Sequence, residues 1–459
     1  MVMITATTSV EVGSRETIKP LCPTPNHFRN YILSSIDQNS PPIYIPVLLF
    51  YLNNTTINTN EKLFMLKKSL GECLSEYYPL AGTFRDDYSV VECNDEGVEF
   101  IEARVNCDIS QIIGTSNVKL LNQLLPFEST GNWSKLKGKT YEREVLVAAQ
   151  ANLFRCDGLA IGVCISHKIA DGTSVVAFLN SWASKSLNNY HGYNAHIVPP
   201  PIFDSARNFP PREMPRYSHD IGITNKTIVT KRFVFDSSSI LALKKQASTT
   251  IIDSSDENIK FPTRVQAVSS LIWSRVLALY RSKPTYAKIC VAVHAVNIRP
   301  RMEPLVPNHT FGNYWTVAIA PAVVKTEQNA VEMSSDITIL VEKMNKSIRN
   351  INAGCVKNMN VVAAPMSNSL KMHSFSKTGH TRDSNFEESQ QHRFPVYEVD
   401  FGWGKPEWVC SPIKSFKNLV ILMGTKDGDG IEASVNLLEE DMPLFENDPQ
   451  ILAFANYCP

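Results

Sequence analysis

His167 is the residue from which chemistry is most readily argued. It lies in the stretch 160–172, Ala-Ile-Gly-Val-Cys-Ile-Ser-His-Lys-Ile-Ala-Asp-Gly. An imidazole with its ordinary pKa of about 6.5 takes up a proton at neutral pH and returns it. That suits a general base acting on an alcohol or an amine. Asp171 follows four residues later. On a helical turn the two side chains would share a face; in a tight strand-to-loop turn Asp171 would instead point away and brace the loop. The spacing alone is weak. The chain has ten histidines, and with Asp at about one residue in twenty, roughly one chance match is expected in every two such chains.

The elements around His167 carry more weight. Ala160 to Ile165 are small or apolar with β-branched residues among them, which predicts a buried strand. Thr173 to Leu187 reads as a helix, with Val175, Val176, Leu179 and Trp182 at helical spacing. His167 therefore falls where a strand ends, on a rigid support. Cys164 should point into the core of that strand, which argues against a thiol nucleophile. Near the C-terminus, Asp400-Phe401-Gly402-Trp403-Gly404 follows a predicted strand at Val396–Val399. Two glycines around a Trp imply a sharp backbone path with an aromatic packed at the bend.

With 459 residues, 43% apolar and 20% charged, the chain can hold two domains of ordinary size. Lys plus Arg and Asp plus Glu both number 45, so no nucleic-acid partner is expected. Met1 to Val12 lacks the basic start and apolar core of a secretory signal, and the apolar run Ile43–Leu52 is too short to span a bilayer. The cysteines have no close pair at metal-ligand or redox spacing. The expectation is a cytoplasmic protein with no membrane association and no metal site.

In chain order, Asn26 to Asp37 is expected as a loop over the site, Pro46 to Leu52 as a strand and Glu61 to Tyr78 as a helix. Val90–Cys93 and Glu99–Arg104 read as a hairpin across Asn94-Asp95-Glu96-Gly97, and Leu146–Arg155 with Leu159–Ser166 as a second pair. Residues 198–217, rich in Pro and Arg, read as a crossover between domains spanning 1–197 and 218–459. Ser248–Lys260 and Lys377–Gln391 read as polar loops. Thr263–Tyr280 reads as a helix capped by Thr263. Strands are expected at Lys231–Phe235, Lys288–Val296, Trp315–Pro321, Trp408–Ser411, Asn418–Gly424 and Ile431–Leu437. Gly428 to Ala433 matches a dinucleotide fingerprint by letter, but a strand follows where a helix is needed, so a hairpin turn is the better reading. There is no Gly-x-Ser-x-Gly elbow, phosphate loop or zinc helix motif.

His-Lys-Ile-Ala-Asp-Gly at mid-chain and Asp-Phe-Gly-Trp-Gly near the end form a recognisable pair, and over nearly its whole length the sequence resembles the BAHD acyltransferases, the plant acyl-CoA-dependent family. Further marks are Ile18-Lys19-Pro20, Pro23-Thr24-Pro25, Tyr78-Pro79-Leu80-Ala81-Gly82, Thr263-Arg264-Val265-Gln266, Val296-Asn297-Ile298-Arg299-Pro300-Arg301-Met302 and Phe311-Gly312-Asn313. Ser166 stands where chloramphenicol acetyltransferase and peptide-synthetase condensation domains carry a second His. Thr310-Phe311-Gly312-Asn313-Tyr314 departs from the Tyr-Phe-Gly-Asn-Cys of anthocyanin malonyltransferases. The chain looks nearest the group containing vinorine synthase and deacetylvindoline acetyltransferase.

The resemblance implies an α/β fold of two similar-sized domains, each a mixed sheet with flanking helices as in chloramphenicol acetyltransferase, with the active-site channel between them. It also implies that part of 390–420 packs with the N-terminal domain. His167 would be the base for direct transfer, with no acyl-enzyme. Asp171 would be structural, salt-bridged to Arg299, with Gly172 completing the loop, and Asp400 to Gly404 would form a structural motif near the coenzyme channel. Thr263 and Arg264 are candidates for the CoA phosphates, against a simple helix cap. The expected co-substrate is acyl-CoA, most simply acetyl-CoA. The expected acceptor is a small hydroxylated specialised metabolite, an alkaloid or terpenoid alcohol, and the enzyme a monomer with no permanently bound cofactor. A malonyl or other donor, N-acylation, or a catalytically silent ligand-binding relative are the alternatives.

Overall fold

The computed structural model describes residues 8–85, 89–127, 145–192, 197–213, 226–253, 256–281, 289–323, 336–359, 394–412 and 416–458, with short strand pieces at 135–136, 139–140 and 385–390. The chain divides into two compact units. The first takes Met1–Tyr217 together with two later pieces, Pro307–Tyr314 and Phe394–Ile413. The second takes Ser218–Val306, Trp315–Arg393 and Lys414–Pro459.

The first unit is built on a six-stranded mixed sheet. Its order is Val10–Ile18, Val98–Val105, Val147–Phe154, Leu159–Ser166, Tyr44–Tyr51 and Trp408–Cys410. Leu159–Ser166 runs antiparallel to both neighbours, and every one of its residues is buried. That is why its sequence is a continuous run of small and apolar residues rather than an alternation. Gly162 is required there, because a Cβ would lie 2.3 Å from the Leu124 carbonyl oxygen. The helix Gly172–His191 packs on the helix Thr59–Glu76. Its fully buried Trp182 donates from Nε1 to the Leu66 carbonyl at 3.0 Å and to Ser69 Oγ at 3.1 Å, so the indole is both packed and hydrogen-bonded. The second unit carries a seven-stranded mixed sheet, Trp315–Val323, Ile289–Asn297, Asn385–Gln390, Leu419–Gly424, Ile431–Leu438, Ile228–Phe235 and Asn456–Cys458. The helices Arg264–Arg281 and Ile337–Arg349 contribute to its core.

Several expectations from sequence change. The hairpin expected across Asn94–Gly97 does not form. Val90–Glu92 pairs with Asn30–Ile32 and Thr83–Phe84 in a small sheet, while Val98–Val105 pairs with Val10–Ile18 and Val147–Phe154 in the large one. The turn residues only redirect the chain between two sheets. Asn26 to Asp37 is not a loop; it holds a 3₁₀ turn at Asn26–Phe28, the strand Asn30–Ile32 and the start of the helix Ser35–Asn39. Ser248–Lys260 contains an antiparallel hairpin, Thr249–Asp253 with Asp256–Lys260. Within Lys377–Gln391, Asn385–Gln390 is a strand parallel to two neighbours, whereas 377–384 and 391 lie outside the described residues. Val396–Glu398 is a 3₁₀ turn rather than a strand.

Candidate active site

His167 sits one residue past its strand with its backbone still tied, since its N–H donates to the Ile43 carbonyl at 2.8 Å. The chain then turns and Asp171 opens the next helix. One carboxylate oxygen accepts the Ser174 N–H at 2.9 Å and the other the Tyr314 N–H at 2.9 Å. Asp171 is thus a buried N-cap, and of the two placements open from sequence it takes the one that braces the loop. Gly172 follows because a Cβ there would press on the Phe394 ring at 2.8 Å.

The segment ending at Tyr314 is threaded against this turn. Ser174 Oγ donates to the Gly312 carbonyl at 2.8 Å and accepts the Gly312 N–H at 3.1 Å. Beside it Asn313, fully buried, places its Oδ1 3.1 Å from His167 Nδ1. Its Nδ2 donates to the His167 carbonyl at 2.8 Å and to Asp37 Oδ1 at 2.9 Å. The Asn313 backbone N–H reaches the same Asp37 oxygen at 2.8 Å. Asp37 is held in turn by the Ser34 N–H at 2.9 Å and the Ser34 hydroxyl at 2.6 Å, both on Oδ2. Sequence reading assigned no role to Asp37 or Asn313. A trace of the former was present: Ser34-Ser35-Ile36-Asp37 has the spacing of a capping box, and Ser34 and Asp37 form one.

Burial pushes the His167 ring below its ordinary 6.5, against the opposing pulls of the Asp171 charge, Asn313 and backbone carbonyls. The ring is therefore neutral at pH 7 and able to accept a proton. Burial pushes the Asp37 carboxyl up from the ordinary 3.8 to about 6, with the Ser34 and Asn313 hydrogen bonds pulling it back.

Asp400-Phe401-Gly402-Trp403-Gly404 falls in the same unit. Asp400 Oδ1 accepts the N–H groups of Gly402 and Gly404 at 2.8 and 2.9 Å, and both glycines have positive φ, 112° and 105°, which other residues rarely adopt. Phe401 is fully buried, its carbonyl accepts the Ser186 hydroxyl at 2.6 Å, and its ring meets Trp182 edge-on at 5.0 Å. Trp403 stacks on Phe401 with centroids 5.5 Å apart. The motif is a corner bolted to the helix that Asp171 caps. Cys164 is fully buried, its sulfur 3.8 Å from the Phe127 carbonyl.

Arg299, Thr263 and Arg264 belong to the second unit. Arg299 is fully buried and opens a 3₁₀ turn beside Asn297, whose Oδ1 takes its N–H at 3.0 Å. Thr263 and Gln266 cap the helix reciprocally, Gln266 N–H to Thr263 Oγ1 at 3.2 Å and Thr263 N–H to Gln266 Oε1 at 2.8 Å. Arg264 donates to the Gly428 carbonyl at 2.5 Å, on the loop where Leu419–Gly424 turns back into Ile431–Leu438. That antiparallel pair is the expected hairpin and leaves no dinucleotide fold.

The model of the Transferase family matches residues 8–452. Stemmadenine O-acetyltransferase of Catharanthus roseus is 35% identical over 446 residues, covering 96% of each chain. Limonoid 1-O-acetyltransferase of Citrus sinensis is 34% identical, covering 96% of this chain and 97% of its own. The crystal structure of vinorine synthase superposes with a TM-score of 0.79 at 30% identity, covering 98% of this chain and 99% of its own. A base-capable histidine at a strand end, in a chain matched from end to end in sequence and in fold, makes this protein a member of the Transferase family, the BAHD acyltransferases, enzymes that draw an acyl group from acyl-CoA.

Proposed function

We propose that the protein transfers acetyl from acetyl-CoA to a hydroxyl group of an alkaloid or terpenoid alcohol, with His167 as general base. The donor and acceptor classes are supported by relatives of about one-third identity that are named O-acetyltransferases of stemmadenine and of limonoids. The observation that carries the role of His167 is the Nδ1 contact to Asn313 Oδ1. An amide oxygen can only accept, so Nδ1 carries the ring proton and Nε2 carries the lone pair. Nε2 takes the hydroxyl proton as the acceptor oxygen attacks the thioester carbonyl. The tetrahedral intermediate then collapses, the C–S bond breaks, and the proton passes to the departing sulfur. No acyl-enzyme is needed, because a thioester already carries a good leaving group. Asp171 would hold the His167 loop by capping the helix that follows it. Thr263 and Arg264 stand as candidates for the coenzyme phosphates, alongside the capping and loop contacts they make in the fold.

The test offers acetyl-, malonyl- and benzoyl-CoA against a pool of alkaloid and terpenoid alcohols, with products read by mass spectrometry and His167→Ala run in parallel. Acetylated product that falls by about 10²–10⁴-fold in the variant is the expected result. Malonylated product alone would replace the donor. Equal turnover in the variant would remove His167 from the chemistry. Ligand binding without turnover by the unaltered protein would make it a binding relative.

A further inference from the structure

Three side chains from distant parts of one unit form a line of hydrogen bonds: Asp37, Asn313 and His167. The direction of each bond follows from chemistry. The Asn313 amide nitrogen has two protons. One goes to Asp37 Oδ1 at 2.9 Å and the other to the His167 carbonyl at 2.8 Å. Turning the amide over would set its oxygen against a carboxylate and a carbonyl, oxygen facing oxygen twice in a buried site, which costs more than any gain at the ring. The amide oxygen must therefore face the imidazole, and Nδ1 must donate to it.

Asp37 is what makes this orientation the only good one. Its Oδ1 also accepts the Asn313 backbone N–H at 2.8 Å, so the residue is gripped at main chain and side chain together. Its Oδ2 is occupied by Ser34 N–H and hydroxyl, with Ser205 Oγ at 3.4 Å. The carboxylate cannot swing away without abandoning its own helix cap. We infer that Asp37 is a positioning residue for the acyl-transfer base, acting through the Asn313 amide to fix the His167 tautomer that presents the lone pair on Nε2. This rests on His167 being the base. It assigns the task of an orienting carboxylate to a residue outside the His-x-x-x-Asp motif.

The test uses the full-length enzyme with ¹⁵N-labelled histidine. His167→Ala identifies the ring signals of His167 by their loss and shows separately whether this residue is the base. Asp37→Asn then keeps shape but places an amide where the carboxylate stood. The expected result is a shift of the His167 ring-nitrogen signals from one tautomer to a mixture, with kcat down about tenfold or more but by less than the 10²–10⁴ that a placed base contributes in full, and KM for acetyl-CoA little changed. Unchanged ring signals in folded Asp37→Asn would overturn the inference, as would unchanged kcat when His167→Ala has lost activity. Should Asp37→Asn fail to fold, Asn313→Ala makes the same break one step nearer the ring. A single Nδ1-protonated tautomer surviving there would equally overturn it. If His167→Ala retains activity, the base assignment fails, and the ring signals of Asp37→Asn still decide whether Asp37 controls the tautomer.

Discussion

Two buried carboxylates serve the same short turn and do different work. Asp37 completes the capping box that Ser34 opens on Ser35–Asn39, Asp171 is the N-cap of Gly172–His191, and each accepts the backbone N–H of one of two consecutive residues, Asn313 and Tyr314. Together they clamp the 310–314 segment beside His167. There the likeness ends. One Asp171 oxygen takes the Ser174 N–H and the other the Tyr314 N–H, and the carboxylate acts on the ring through its charge, which favours the protonated imidazole. Asp37 has a side-chain amide between itself and the ring and so can select a tautomer. The carboxylate four residues from the histidine braces and biases; the one far away in sequence orients.

The largest effects should separate these roles. Asp171→Ala removes a helix cap worth about 1 kcal/mol and strands the buried Tyr314 N–H at about 1–3 kcal/mol. Thermal unfolding should therefore show a loss of about 2–4 kcal/mol, with kcat reduced on the order of 10² as the His167 loop loosens. In the folded fraction the ring tautomer should stay as it was. A tautomer change in Asp171→Ala as large as in Asp37→Asn would erase the distinction.

The two carboxylates should also leave different signatures in pH. Asp37 holds its proton to about 6 when folded and releases it at 3.8 when unfolded. Between those values the folded state binds more protons, so Asp37 makes stability fall as pH rises through the window, by about 3 kcal/mol in total. Asp37→Asn should remove that fall, which a melting-temperature series from acid to neutral pH would reveal. Asp171 instead marks the activity profile. His167 titrates below 6.5, so the acid limb of kcat/KM lies below that value. Asp171→Asn deletes a charge that raises the ring's pKa and should move the limb further down. A limb that moves up would reverse the sign assigned to Asp171.

Legibility in sequence followed locality. The strand Leu159–Ser166 and the helix after it were readable because burial imprints a pattern on consecutive residues. Asn94–Gly97 carries the local marks of a turn, yet the strands on either side of it join different sheets. Turn chemistry is local, whereas the partner of Val98–Val105 is chosen by buried residues such as Val98, Phe100 and Ile101 packing with strands elsewhere. Asn385–Gln390 defeats pattern reading altogether, being polar at most positions yet paired on both edges. His167 and Asp171 could be named from a motif. Asp37 and Asn313 take their function from burial and from each other, and a polar residue does not announce in sequence that the fold will bury it. The piece Pro307–Tyr314, carried by the first unit though the chain around it builds the second, has no compositional mark either.

The smallest expected effect is the most selective. Ser34 donates to Asp37 Oδ2 and accepts the Asp37 N–H at 3.1 Å, but it lies on the side of the carboxylate away from Asn313. Ser34→Ala should cost about 1 kcal/mol as a lost cap, or about 2–4 °C in Tm for a unit of about 245 residues. It also removes a hydrogen bond that lowers the Asp37 pKa, so the fall of stability with rising pH should extend above 6. With Asp37 ionised at alkaline pH, Oδ1 still holds Asn313, and both kcat and the His167 ring signals should match the unaltered protein. At mildly acidic pH, where Asp37 is then protonated more fully, the ring signals should drift towards the mixture seen in Asp37→Asn. A variant that loses the tautomer equally at every pH would mean that the whole helix start, not the Oδ1 carboxylate oxygen, sets the ring, and Asp37 would join Asp171 as a brace.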